Sequence, residues 1–258
     1  MKESNLNYRE YGTGDPVIIL HGLFGMLDNW HSFARKLSEN FRVFAVDQRN
    51  HGKSFHSDEF DYDILAEDVS EFMADMGLPQ AHFIGHSMGG KTVMKFMDLF
   101  RDKVMKSIIV DMAPRSYKGS HHQTFNTMMT LDLEKISSRT EAFEVLKSKI
   151  NDDAVVHFLL KNLTRDKKNN FRWKANLDSL WKNYDKIISE IRPYPPFTNH
   201  TLFVRGSNSD YISKEDEFII SNYFPNSQIA TIDGAGHWVH SEKPIELLQL
   251  TEAFLADF

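Results

Sequence analysis

Apolar residues along the chain alternate between two kinds of segment. The continuous run Val17-Ile18-Ile19-Leu20 suits a strand buried on both faces of a parallel sheet, and the largely apolar stretches Phe41 to Val46, Val104 to Val110 and Thr201 to Gly206 read as strands beside it. Leu6 to Tyr11 and Gln228 to Ile232 read as further strands, and Ala81 to His86 as another. Between them apolar positions recur at helical spacing. A helix is expected from about Asp28-Asn29, carrying Trp30, Phe33, Ala34 and Leu37. Others are expected over Ile64 to Met76, Lys91 to Phe100, Ile212 to Tyr223 and Pro244 to Phe258. Gly12-Thr13-Gly14-Asp15-Pro16 and Gly77-Leu78-Pro79 punctuate the pattern as turns. Strand and helix in alternation predict a doubly wound α/β sheet.

Residues 115–198 depart from that alternation. No strand is expected there. Phe125, Met128 and Met129; Phe143, Leu146 and Ile150; Val155, Phe158 and Leu159; and Leu177, Leu180, Trp181 and Tyr184 fall at helical spacing, separated by charges. The pattern predicts short helices inserted into an α/β core of residues 1–114 and 199–258. An insertion of that length at the ligand-binding edge of a sheet is expected to be a cap or lid. Pro193, Pro195 and Pro196 would return the chain stiffly to the sheet.

Composition narrows the possibilities. The 258 residues allow a sizeable core, and no repeat or low-complexity tract divides them. Thirty basic and 36 acidic residues are interspersed, with a formal charge of −6 and no basic stripe, so nucleic acid is not an expected partner. The absence of cysteine excludes disulfides and thiolate metal sites. His121-His122 and His157 lack accompanying ligands at fixed spacing, so no metal is expected. No apolar run approaches the roughly 18 residues needed to span a bilayer. Met1 to Asn7 holds no apolar stretch of the signal-peptide kind, so a cytoplasmic location is expected. Oligomeric state is left open.

The chemistry concentrates at Gly85-His86-Ser87-Met88-Gly89-Gly90. An apolar strand runs into Gly-x-Ser-x-Gly and a helix follows, the sequence form of a nucleophile elbow. A serine hydroxyl becomes a useful nucleophile at a sharp turn, beside a base, with N–H groups aimed at the developing oxyanion. The candidate base is His237, within Asp233-Gly234-Ala235-Gly236-His237-Trp238, C-terminal to Ser87 and just past the last strand. His240 is read as a packing or surface residue.

With His21-Gly22 after a strand, Asp47-Gln48-Arg49-Asn50-His51-Gly52-Lys53-Ser54, the elbow, and Gly234-Ala235-Gly236-His237-Trp238, the chain resembles serine-nucleophile α/β-hydrolases over nearly its full length. Leu23-Phe24-Gly25-Met26-Leu27-Asp28-Asn29-Trp30, Val110-Asp111-Met112-Ala113-Pro114 and Phe203-Val204-Arg205-Gly206-Ser207-Asn208-Ser209 are similar to small bacterial carboxylesterases and the related mitochondrial lipid hydrolases. The resemblance implies an α/β-hydrolase fold and a Ser-His-Asp triad that needs no cofactor.

The commoner family position for the acid follows the strand ending at Gly206, in the pattern Gly-x-x-Asp. Ser209 stands there, and Asp210 comes one residue late. The other family position is the end of the preceding strand, occupied by Asp111, which is favoured, with Asp210 as the alternative. The resemblance implies an oxyanion hole from the backbone of Met88 and of Leu23, with Phe24 as alternative to Leu23. It reads His21, His86, Asp47 and Arg49 as structural.

The expected function is hydrolysis of short to medium-chain carboxylic esters, with the Met and Phe content of the insertion implying an apolar pocket. Thioesters, carbon–carbon cleavage of vinylogous diketones and N-terminal proline peptides remain alternatives on the same triad. A non-turnover ligand receptor is an alternative of another class. Haloalkane dehalogenase and epoxide hydrolase chemistry is disfavoured, because those relatives carry aspartate where Ser87 stands.

Overall fold

A computed structural model describes residues 6–256. The expectations for the N-terminal stretch and the end of the closing helix therefore fall partly on residues 1–5 and 257–258, outside the described residues. Seven strands form the main sheet: β1 (Tyr8–Tyr11), β2 (Pro16–Leu20), β3 (Arg42–Val46), β4 (Ala81–His86), β5 (Val104–Val110), β8 (Thr201–Gly206) and β9 (Ser227–Ile232). Their spatial order is β1-β3-β2-β4-β5-β8-β9. β1 pairs antiparallel with β3, and every other pairing is parallel.

The continuous apolar runs have a simple cause. Successive strand side chains point to opposite faces, and both faces are covered. Ile18, Leu20, Phe83, Ile109 and Phe203 enter one apolar cluster, whereas Val17, Ile19, Ile84, Ile108 and Val204 enter the other. Helices α2 (Tyr62–Asp75), α3 (Met88–Leu99) and α9 (Asp216–Tyr223) supply the first cluster through Leu65, Phe72, Val93, Phe96 and Ile220. The second receives Phe33 and Leu37 of α1 (His31–Leu37), Val239 of α10 (Val239–Glu242), and Leu247 and Leu255 of α11 (Pro244–Ala256).

Between β5 and β8 lie α4 (His122–Met129), α5 (Arg139–Lys147), α6 (Asp153–Leu160), α7 (Leu177–Lys182) and α8 (Tyr184–Ile187). Their buried residues, among them Phe125, Leu146, Leu159 and Leu180, join the same cluster as the sheet residues Phe83 and Ile109. Lys91 on α3 is fully buried and ties the two ends of this segment together. Its Nζ donates to the carbonyls of Arg115 at 2.9 Å, Ile188 at 3.3 Å and Ser189.

The structure corrects the sequence reading here. A two-stranded antiparallel hairpin, β6 (Leu163–Arg165) and β7 (Phe171–Trp173), lies within the segment expected to be free of strands. Each strand has only three residues, too few for a period-2 signal. The turn holds it: Asp166 accepts from the N–H groups of Lys168 (2.8 Å) and Asn170 (2.9 Å), and Asn169 takes a left-handed φ of 68°. The helix expected from Ile212 also begins later, at Asp216, whose carboxylate accepts from Ser213 N–H and pairs with Arg115 at 2.7 Å. Among the described residues, no helix is long and apolar enough to cross a membrane.

Candidate active site

Ser87 lies between β4 and α3 with φ 53° and ψ −119°, a strained backbone for a residue with a side chain. The turn is tight enough that a Cβ on Gly85 would collide with the Gly89 carbonyl, and one on Gly89 with the Leu20 carbonyl. That closeness explains the two glycines of the motif. The strain presents the hydroxyl at the C-terminal edge of the sheet, where strand ends leave a crevice.

His237, on the loop after β9, meets it there. His237 Nε2 is 3.1 Å from Ser87 Oγ, and its Nδ1 is 2.7 Å from Asp111 Oδ2. Asp111 ends β5 in a left-handed turn (φ 51°) and is fully buried. Its carboxylate also accepts from Gly206 N–H at 3.1 Å and from the Ser209 hydroxyl. An Nδ1–H held by this carboxylate leaves Nε2 as the acceptor for the serine proton. Asp210 does not join the group. It is exposed, no hydrogen bond connects it to His237, and its carbonyl accepts from Arg115.

The loop after β2 faces Ser87. The N–H groups of Leu23 and Met88 have no acceptor among the described residues, and both residues border the cavity at Ser87. Phe24 differs. Its N–H donates to His51 Nε2 at 3.3 Å and its carbonyl accepts from Asn162 Nδ2 at 2.6 Å, which pins the loop while Phe24 holds a left-handed φ of 59°.

Buried histidines brace this edge. His21 donates from Nδ1 to the Gly22 carbonyl (2.8 Å) and accepts Gln48 N–H at Nε2 (3.0 Å). His51 donates from Nδ1 to the Arg49 carbonyl at 2.9 Å, which frees Nε2 for Phe24. Burial lowers the proton affinity of both, His21 to a pKa of about 4 and His51 to about 3. His86, likewise held neutral by burial, donates Nε2–H to the His237 carbonyl at 2.9 Å. His240 stacks on Trp30 with ring centroids 4.5 Å apart. Asp47 accepts from Leu27 N–H at 2.7 Å and Lys53 N–H at 2.9 Å, and Arg49 forms a two-pronged pair with Asp68 at 2.5 and 2.6 Å. These groups hold loops, as the sequence reading of His21, His86, Asp47 and Arg49 expects.

Three neighbours of the site were not singled out by sequence reasoning: Ser209 on Asp111, His51 under Phe24, and Tyr211, whose ring stacks on His237 at 3.7 Å between centroids. Ser209 alone had a signal, since it occupies the family's commoner acid position. A hydroxyl, an imidazole and a buried carboxylate in this order can carry a proton from the hydroxyl to the imidazole while the carboxylate fixes the tautomer.

A family model described as the alpha/beta hydrolase fold matches residues 15–244. The chain belongs to the α/β-hydrolase family. A solved structure described as a marine microorganism esterase superposes on the hydrolase with a TM-score of 0.95 and is 40% identical, covering 97% of this chain and 99% of that one. Esterase YbfF of Escherichia coli is 33% identical over 246 residues, covering 95% of the hydrolase and 94% of YbfF. The mouse sn-1-specific diacylglycerol lipase ABHD11 is 36% identical over 248 residues, covering 93% and 80% of the two chains.

Proposed function

We propose that the hydrolase cleaves carboxylic esters of short to medium acyl chain length, with Ser87 as nucleophile, His237 as base and acid, and Asp111 as the orienting carboxylate. The hydrogen-bonded series Ser87–His237–Asp111, at 3.1 and 2.7 Å, carries this reading. Relatives named as esterases and a lipase support it.

Ser87 Oγ attacks the acyl carbonyl as His237 Nε2 takes its proton. The carbonyl oxygen becomes an oxyanion facing the N–H groups of Leu23 and Met88, each such donor being worth about 3 kcal/mol in the transition state. Collapse breaks the bond to the alcohol oxygen, which leaves with the proton from His237, and an acyl-enzyme remains. Water then attacks, gives its proton to His237, and releases the acid as Ser87 recovers its proton. Asp111 keeps hold of the Nδ1–H of His237 throughout. Residues 115–198 serve as the cap. Phe24, Val155, Phe158 and Leu159 give the cavity beside Ser87 an apolar wall suited to uncharged esters.

Hydrolysis of a p-nitrophenyl ester series from acetate to palmitate, by wild type and Ser87→Ala, tests the reading. Activity should peak at short or medium chains and disappear in the variant. Equal activity in both proteins, or exclusive cleavage of emulsified long-chain lipid, would overturn it.

A further inference from the structure

Two cavities meet at Ser87. The first is walled by Phe24, Val155, Phe158, Leu159, His237 and Trp238. The second is walled by Met88, Met112, Tyr117, Ile187, Ile188 and Tyr211. Leu23, Ser87 and His121 border both. His237 borders the first and not the second, and Met88 the reverse. The Tyr211 ring, stacked on the imidazole of His237, stands between that imidazole and the second cavity.

Ester cleavage makes this asymmetry meaningful. His237 Nε2 must return its proton to the departing oxygen, so the alcohol half must lie within hydrogen-bond reach of the imidazole. The acyl chain leaves the same carbonyl carbon in another direction. The geometry points to a divided substrate site, in which the alcohol half of the ester binds against α6 in the first cavity and the acyl half binds against the two ends of the inserted segment in the second. This assignment rests on the ester-hydrolase reading.

The walls also define the substrate class. The first cavity presents aromatic and aliphatic side chains from α6 and from Trp238, which suits an apolar alcohol with a ring or a branch. In the second, Lys91 is the buried basic group; burial lowers its pKa to about 7, and its Nζ is already turned to three carbonyls, so it offers little to a substrate carboxylate. Lys118 and Asp210 on the same wall are exposed. The fitting substrate is a neutral ester with apolar bulk on both sides of the scissile bond. Different segments read its two halves, so the two selectivities should be separable by mutation.

The test compares ratios of kcat/KM within each protein, which do not depend on the fraction of active molecules. One series varies the acyl group, p-nitrophenyl acetate against octanoate. The other varies the alcohol, ethyl against benzyl butyrate. Ile188→Phe should lower the octanoate-to-acetate ratio about tenfold, the scale of a methylene or two in an apolar pocket, and leave the benzyl-to-ethyl ratio in place. Phe158→Ala should change the benzyl-to-ethyl ratio by about tenfold and leave the acyl ratio in place. Where Ile188→Phe gives too little active protein, Ile188→Ala should move the acyl optimum toward longer chains. Crossed effects, or both ratios moving together in each variant, would overturn the assignment while ester hydrolysis stands. Failure of wild type to cleave any ester would remove the ester-hydrolase reading and the assignment with it.

Discussion

The Ser209 hydroxyl donates to the same carboxylate oxygen of Asp111 that receives His237 Nδ1. The turn after β8 thus supplies a hydroxyl at the position where the commoner family pattern has the acid, and the residue after β5 supplies the carboxylate that faces His237. With Gly206 N–H on the other oxygen, the carboxylate is held from three sides. Ser209→Ala removes one of them. A hydrogen bond to a charged group is worth about 1.5–3 kcal/mol, so kcat/KM on p-nitrophenyl butyrate should fall at least about tenfold, and Ser209→Thr should recover much of it. Wild-type kinetics in Ser209→Ala would show that Gly206 and His237 suffice.

Asp111 and Asp210 separate in kinetics. Asp111→Asn presents an amide to Nδ1 and favours the wrong imidazole tautomer, a change that costs about four orders of magnitude in kcat in the serine-protease template. Asp210→Asn should stay within about threefold of wild type, because the exposed carboxylate makes no bond to His237. Steady-state rates of the two variants decide it, and the opposite ranking would move the acid to Asp210.

Buried neutral histidines make the fold acid-sensitive. In the unfolded chain they bind protons below pH 6.5, whereas His21 resists protonation to about 4 and His51 to about 3. Their folded values are depressed, so the unfolded state binds more protons in that window. Stability is full above pH 6.5 and falls as the pH drops toward 4, by up to about 1.4 kcal/mol per pH unit for each site. His86 adds in the same direction. Thermal unfolding should show a Tm well below its pH 7 value at pH 5. A flat Tm across that range would contradict the assignment.

Lys91 should matter to the ends of the inserted segment more than to the sheet. Lys91→Met leaves the carbonyls of Arg115 and Ser189 without their donor, at about 1–3 kcal/mol for each that stays dry, and leaves the Ile188 carbonyl with the Tyr117 N–H alone. The amides of Tyr117 and Ile191, bonded to Ile188 and Pro114 carbonyls at 2.9 and 2.7 Å, report on that junction. Hydrogen exchange there should accelerate while the amides of β4 and β5 keep their protection. Uniform acceleration would indicate a global loss of stability instead.

What was legible in the sequence follows from how local each signal is. Val17 to Leu20 and Val104 to Val110 read as strands because both faces of each are buried. Gly85, Ser87 and Gly89 read as an elbow because their contacts lie within a few residues and the neighbouring β2. The choice of Asp111 over Asp210 came from family positions, and the left-handed turn that aims the carboxylate is invisible in composition. The Ser209–Asp111 bond joins residues 98 apart, and the His51–Phe24 bond joins residues 27 apart. Both Ser209 and His51 stand in family motifs, but no periodicity or spacing names the partner that either one bonds. The hairpin at 163–173 escaped because a three-residue strand shows no alternation, and only its Asp166 turn carries information.

Nucleophilic attack by Ser87, assisted by His237, is tested most directly by covalent capture. The protein is treated with a fluorophosphonate, digested, and analysed by peptide mass spectrometry, beside Ser87→Ala and His237→Ala. Stoichiometric phosphonylation of Ser87 in wild type, none in Ser87→Ala and strongly slowed labelling in His237→Ala is the predicted result. An unlabelled Ser87 in protein that still hydrolyses p-nitrophenyl butyrate, or labelling at a different residue that abolishes activity, would contradict it.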